Sequence, residues 1–222
     1  MNFAVYMASN GEVNTMETTQ KNLCRLFCLS GIIGVIFYVL HDVIGAMNYP
    51  GYKWMSQAVS DLTATDSPSY TVATGLSNVF GIMSICCCLF VCVLVTNKHI
   101  VTRIGVALYT LMESISGIGY AIFPLSSKGY DGSFQSLMHV YVITSAVVAL
   151  SIISLILISI GSFKDKRKTL GILAIVALVL MFVGTVGAGA APKAVFGIFE
   201  RFSTYSAVVF TAILGVFHSV EK

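Results

Sequence analysis

A handful of polar side chains in this 222-residue sequence have the types needed for chemistry. His41, Asp42 and His139 offer imidazole nitrogens and a carboxylate, a donor set that suits zinc. Glu113 and Asp61 are carboxylic acids able to act as general acid or base. Arg201, next to Glu200, presents a planar fork of N–H donors shaped for a phosphate, a carboxylate ligand or an acid on another helix. Ser60 stands directly before Asp61. No two histidines are spaced as H-x-x-x-H or H-E-x-x-H, so the metal candidates form an inventory rather than a motif. What these groups do together depends on the elements that carry them.

Those elements are membrane spans. The chain is 56% hydrophobic and 10% charged, with a mean hydropathy of +0.86, against roughly 25% charged residues in a soluble domain. Crossing the hydrocarbon core takes about 20 apolar residues. Six stretches supply them: Leu26–Ala46, Thr71–Val95, Ile100–Phe123, Leu137–Ile160, Leu170–Ala190 and Phe196–Val220. They are apolar all round, unlike the one-sided helices that cover a soluble core. The expectation is an all-α integral membrane protein, a six-transmembrane-helix bundle forming a single domain over residues 26–220. A polar cytoplasmic tail over residues 1–25 precedes it, and the first span reads as a retained signal anchor.

Basic residues stay on the cytoplasmic side of a membrane. With the N-terminus inside, nine of the 13 Lys and Arg fall in inner segments (Lys21, Arg25, Lys98, Arg103, Lys164, Lys166, Arg167, Lys168, Lys222). Only Lys53, Lys128 and Lys193 fall in outer segments, with Arg201 near the outer end of span six. Both termini are therefore expected in the cytoplasm, the membrane being the plasma membrane. The net charge of +3 follows from this topology. It does not point to nucleic acid, since no basic face is large enough to track phosphates. Anionic lipid at the inner surface is partner enough for the Lys164–Lys168 cluster. The six cysteines map to the inner half of spans one and two, the reduced side, which argues against disulfides.

Depth then sorts the polar residues. His41 and Asp42 lie about 22 Å up span one from its inner end, and Glu113 about 20 Å up span three, at 1.5 Å per residue. His139 opens span four from outside, and Glu200-Arg201 the sixth. The costly groups thus gather toward the outer surface, where an intramembrane charge demands a partner or a purpose. Arg201 is expected to reach an acid on another helix, Glu113 or Asp42. In the long first outer loop, Met55, Ala58, Val59 and Leu62 recur at helical spacing. They predict a short amphipathic interfacial helix on the outer surface or over the bundle mouth, ending near Asp66-Ser67-Pro68, with Ser67 capping the next span.

Three stretches together carry a family resemblance. They are Tyr49-Pro50-Gly51-Tyr52 leading into Met55-Ser56-Gln57-Ala58-Val59-Ser60-Asp61-Leu62, Gly119-Tyr120-Ala121-Ile122-Phe123-Pro124 followed by His139, and Gly197-Ile198-Phe199-Glu200-Arg201. In order and spacing the chain resembles a prokaryotic polytopic membrane family known as domain of unknown function 998, over residues from about 25 to 218. The resemblance implies the six-span bundle and draws attention to Ser60, Asp61, His139, Glu200 and Arg201; it implies no activity.

The reading that joins these observations is a multi-pass membrane protein with an outward-facing polar pocket for a small molecule or lipid headgroup. Arg201, Glu200, Glu113, Ser60 and Asp61 would form it, with Arg201 as the anion-binding or bridging cation, Glu113 and Glu200 its counter-charges, and His41 and His139 a titrating rim. The alternative from another class is a metal-dependent membrane hydrolase acting at the outer surface. It would use zinc on His41, Asp42 and His139, with Glu113 or Asp61 as catalytic acid or base. A third reading is a structural or accessory subunit whose polar groups only lock helices together.

Overall fold

A computed structural model of the chain describes residues 18–220. Among the described residues there is no strand, and six long helices form one bundle: α1 (Thr18–Met47), α2 (Tyr70–Leu94), α3 (Ile100–Ile122), α4 (Phe134–Lys164), α5 (Lys168–Ala190) and α6 (Phe196–Val220). All but α3 are long and apolar enough to cross a membrane by length and composition. α3 carries Arg103 and Glu113 and turns Thr102, Tyr109, Thr110 and Glu113 into the interior. Of the tail expected over residues 1–25, residues 1–17 lie outside the described residues. The rest is helical, residues 18–25 belonging to α1.

Each helix packs on the next in sequence, and α6 closes the ring by touching α1 and α2 as well as α5. The bundle has two ends. At the loop end lie residues 48–69, the α3–α4 connection and a 3-10 turn at Lys193–Val195; at the terminal end lie the α2–α3 and α4–α5 turns. The core holds Tyr109, Leu155, Ile158, Leu170, Phe210 and Leu214, all out of reach of solvent. The outside is apolar too, with Ile36, Ile82, Ile118 and Val186 more than half exposed. In water such a surface would drive aggregation; in a bilayer it meets its solvent. All six cysteines are free thiols.

Without a hydrophobic force between helices in lipid, close approach depends on small residues. Gly161 of α4 lies against Thr102 of α3, where an added Cβ would collide with the Thr102 backbone nitrogen. Gly184 of α5 meets Ser203 and Phe199 of α6 in the same way. The α3–α4 seam is reinforced at the terminal end, where Asp165 accepts from the Thr102 hydroxyl at 2.6 Å and the His99 amide at 2.9 Å.

The first loop takes the second of its two expected forms, a short helix over the bundle mouth, but as a five-residue 3-10 turn, Val59–Thr63, that tucks Val59 and Leu62 inward. Ser67 does not cap α2, which starts at Tyr70 after Ser69. Ser67 and Ser69 join hydroxyls at 2.8 Å, and Ser69 donates to the Leu62 carbonyl at 2.8 Å, anchoring the turn. The apolar spacing of 55–62 was real, but Leu62 fits between Gly45 and Ala73, a slot that burial on the surface would waste.

Gly161→Ala should lower the melting temperature in detergent, by a cost of about 1–3 kcal/mol for forcing a methyl into a packed seam. Gly75→Ala, where an added Cβ meets nothing within 4 Å, should leave it unchanged or raise it. Equal effects would mean the α3–α4 contact does not set stability.

Candidate functional site

Arg201 is the hub of the loop end. It lies one turn into α6, and its planar fork points toward α1 and the first loop. Nε donates to Asp42 Oδ2 at 2.9 Å and Nη2 to Asp42 Oδ1 at 2.7 Å, a two-pronged ion pair. Nη2 also donates to the Tyr52 hydroxyl at 2.8 Å. Nη1 donates to three carbonyls, those of Trp54 at 2.7 Å, Gly197 at 3.0 Å and Gln57 at 3.2 Å. Every guanidinium N–H therefore has an acceptor. Both partners of the pair are only 13% exposed, so the pair is largely desolvated.

Around the pair stands a ring of tyrosines. Tyr205, one turn beyond Arg201 on α6, donates to Asp42 Oδ2 at 3.0 Å. Tyr52 passes its own proton to the Ala58 carbonyl at 2.7 Å, and its burial pushes the phenol up to about 12, so it stays a donor at neutral pH. Tyr38 lies edge-on to Tyr205 and to His41. The loop is also sewn down by its backbone: Gly197 donates to the Met55 carbonyl at 2.8 Å, and Val59 donates to Glu200 Oε2 at 3.1 Å. Gly197 is required here, since a Cβ would run into the Trp54 and Gln57 carbonyls. Asp61 sits at the edge of this cluster, where partial burial pushes its carboxyl above the usual carboxylate range.

Several placements differ from those expected. Arg201's counter-charge is Asp42; Glu113 is not among its partners, and Glu200 serves the Val59 amide instead. Glu113 lies deeper, 5% exposed, with a carboxyl oxygen 2.7 Å from the Thr211 hydroxyl. Ser60 is exposed, with its carbonyl accepting from Thr63. His41 forms no rim: it is 3% exposed, and neither ring nitrogen has a hydrogen-bond partner. His139 belongs to α4, where a π-helical turn, Met138–Ile143, sets its Nδ1 2.6 Å from the Phe123 carbonyl and its ring against Tyr120. His41, Asp42 and His139 thus do not converge on a metal. Asp42 already binds Arg201 and Tyr205, and His139 contacts α3. Among the described residues no three His, Cys, Asp or Glu group as metal ligands.

Residues that the sequence did not single out complete the site. Tyr52 stood out there only within a family motif, and Trp54 and Tyr205 not at all, although the four-residue step from Arg201 to Tyr205 was a visible sign of a shared face. Trp54 and the ion pair close one end of a groove of about 780 Å³ on the flank of the bundle. α1 and α5 wall this groove and α6 floors it, with Val43, Val176, Leu180, Phe202, Val209 and Ile213 along its length.

The fold and this site define a multi-pass helical membrane protein with a buried, fully paired ion pair beneath one folded loop. The chain belongs to the family described as protein of unknown function (DUF998), which matches residues 32–217. That stretch contains all three motifs that suggested the family and every residue of the site. No curated protein and no solved structure matches the chain.

Two outcomes are expected. Arg201→Gln should destabilise the protein by about 3–5 kcal/mol, the cost of a buried charge left unpaired, and Arg201→Lys should recover little, an ammonium having too few donors. Asp42→Asn combined with Arg201→Gln should recover part of the loss; melting temperatures in detergent check this, and a double variant no better than the single would refute the pairing. Separately, Ser127 donates to Asp66 through its hydroxyl and its amide and holds that exposed carboxyl below its usual range. The tie therefore holds above the ordinary carboxylate pKa of about 3.9 and is lost as pH falls through the depressed value. Asp66→Asn should mimic the acidified loop at pH 7, with several-fold faster chymotryptic cleavage at the exposed Tyr130.

Proposed function

We propose that the protein binds an acyl-chain amphiphile, with the chain in the flank groove and the polar head at the Asp42–Arg201–Tyr205–Trp54 end. The observation that carries this is the groove itself: apolar walls along its length, an ion pair at one end, and a volume of about 780 Å³, inside the roughly 300–1,000 Å³ of small-molecule sites. From Ile198 to Ile213 it follows α6 for about 22 Å at 1.5 Å per residue, a depth suited to one hydrocarbon chain. Because Asp42 neutralises Arg201 and the guanidinium donors are occupied, the site favours a neutral or zwitterionic head over a free anion.

In this reading α3 is a sixth span. It runs beside five apolar helices, its 23 residues reaching about 35 Å, with its acid turned inward. Six spans put both termini on one side. The basic residues Lys98, Arg103, Lys164, Lys166, Arg167 and Lys168 at the terminal end support the cytoplasm of a plasma-membrane protein. The groove head then faces outward.

Trp54 is the sole tryptophan and lines the groove head, so its fluorescence reports occupancy. Titrating the protein in lipid nanodiscs with lysophosphatidylcholine brominated on its chain should quench Trp54 saturably. Val209→Phe, filling the groove from its floor, should weaken the effect severalfold, and Val186→Phe, on an exposed face outside the groove, should not. Quenching that rises linearly with probe and ignores Val209→Phe would overturn the reading.

A further inference from the structure

α6 has a second polar face. Its groove side carries Ser206, Val209, Phe210 and Ile213. At about 100° per residue, Ala207 and Thr211 point the other way, toward α3. There Glu113 meets Thr211 and Tyr109 near the middle of the bundle. Its carboxyl is acted on by those two hydroxyls and by no Lys, Arg or His. α2 turns the titratable thiols Cys87 and Cys88 toward it. The Cys87 thiol donates elsewhere, to the Cys28 carbonyl at 3.0 Å. α4 contributes Val147, Leu150 and Leu155 to the same core. Nothing on these elements neutralises a carboxylate.

The hydrogens can be counted. Four oxygen pairs lie within bonding distance: Glu113–Thr211 at 2.7 Å, Tyr109–Ala207 carbonyl at 2.9 Å, Tyr109–Thr211 at 3.0 Å and Thr211–Ala207 carbonyl at 3.2 Å. Each hydrogen can close one of these pairs well, and the pairs compete for it. A threonine and a tyrosine hydroxyl bring one each, and a carbonyl brings none. With an ionised Glu113, two hydrogens serve four pairs, and a desolvated carboxylate is left with little to hold its charge. A protonated Glu113 supplies a third hydrogen and removes the charge together. It donates to Thr211, Thr211 to the Ala207 carbonyl, and Tyr109 to either oxygen it faces.

We propose that Glu113 is a proton-binding site: it carries one hydrogen ion as a neutral acid within the bundle at neutral pH, held by Thr211 and Tyr109 across the α3–α6 seam. The exchange is a simple one, the acid releasing a proton to water or taking it back, and it requires water to reach the seam. The site is separate from the flank groove and stands whether or not an amphiphile binds there.

Infrared difference spectroscopy of the full chain in lipid, wild type against Glu113→Gln at pH 7, tests this. The expected result is the loss of one carboxylic acid carbonyl band per chain, a band that shifts in heavy water. Glutamine keeps a donor in the same place, so the variant should fold. Loss from the carboxylate region instead, with the acid region unchanged, would overturn the proposal. If Glu113→Gln does not fold, wild type labelled with ¹³C-glutamate decides the matter by solid-state NMR. A δ-carbon shift of Glu113 typical of an acid sustains the proposal, and one typical of a carboxylate ends it.

Discussion

A guanidinium in a bilayer has five N–H groups and no water to satisfy them. That constraint organises the loop end of this protein. Asp42 takes two donors, Tyr52 shares one, and the carbonyls of Trp54, Gln57 and Gly197 take the rest. To present those carbonyls, the chain from Tyr52 to Ala58 must fold back over α6 rather than lie along the surface. To let it come that close, position 197 must lack a side chain. The conformation of the first loop is thus a consequence of where Arg201 sits.

The same pair shapes the flank. At the terminal end α1 meets α6 through glycines, Gly31 against Ala212 and Gly215 against the Cys28 carbonyl. At the loop end α1 is held by charge instead, Asp42 to Arg201. α5 settles on the other side of α6 through Gly184. With α1 and α5 both fixed to α6, the space between them stays open as a groove whose head is the ion pair.

Much of this was legible in the sequence, and the limit has a physical cause. Helix positions follow from hydropathy and hold to within a few residues, save that α1 and α4 run on past the apolar core into polar residues. The importance of Arg201 was legible because a buried cation must have a partner. Its choice of Asp42 over Glu113 was not, since depth along the membrane does not fix which helix faces turn toward each other. Leu62 and Val59 announced an apolar face, but not that a 3-10 turn would carry it inward. His41 read as a rim residue from its height near the outer end of span one; height does not give the rotation of α1, which turns His41 inward against Tyr38 and out of contact with solvent.

α6 is the least apolar of the five candidate spans and the most buried within the bundle, and its two faces show two solutions to one problem. Near the loop end, where a folded loop supplies donors and acceptors, a charge is kept and paired: Arg201 with Asp42. Deeper in, Glu113 meets the hydroxyls of Thr211 and Tyr109 and faces the thiols of Cys87 and Cys88. A counter-ion there would have to come from α2 or α4, which offer thiols and aliphatic side chains. Pairing is closed to it, so neutralisation by a proton is the remaining way to lower the cost. The order of the two solutions along the helix follows from depth. A headgroup-level site tolerates charge and recognises polar heads, while a mid-bundle acid holds a proton, and a single helix presents the two at different depths.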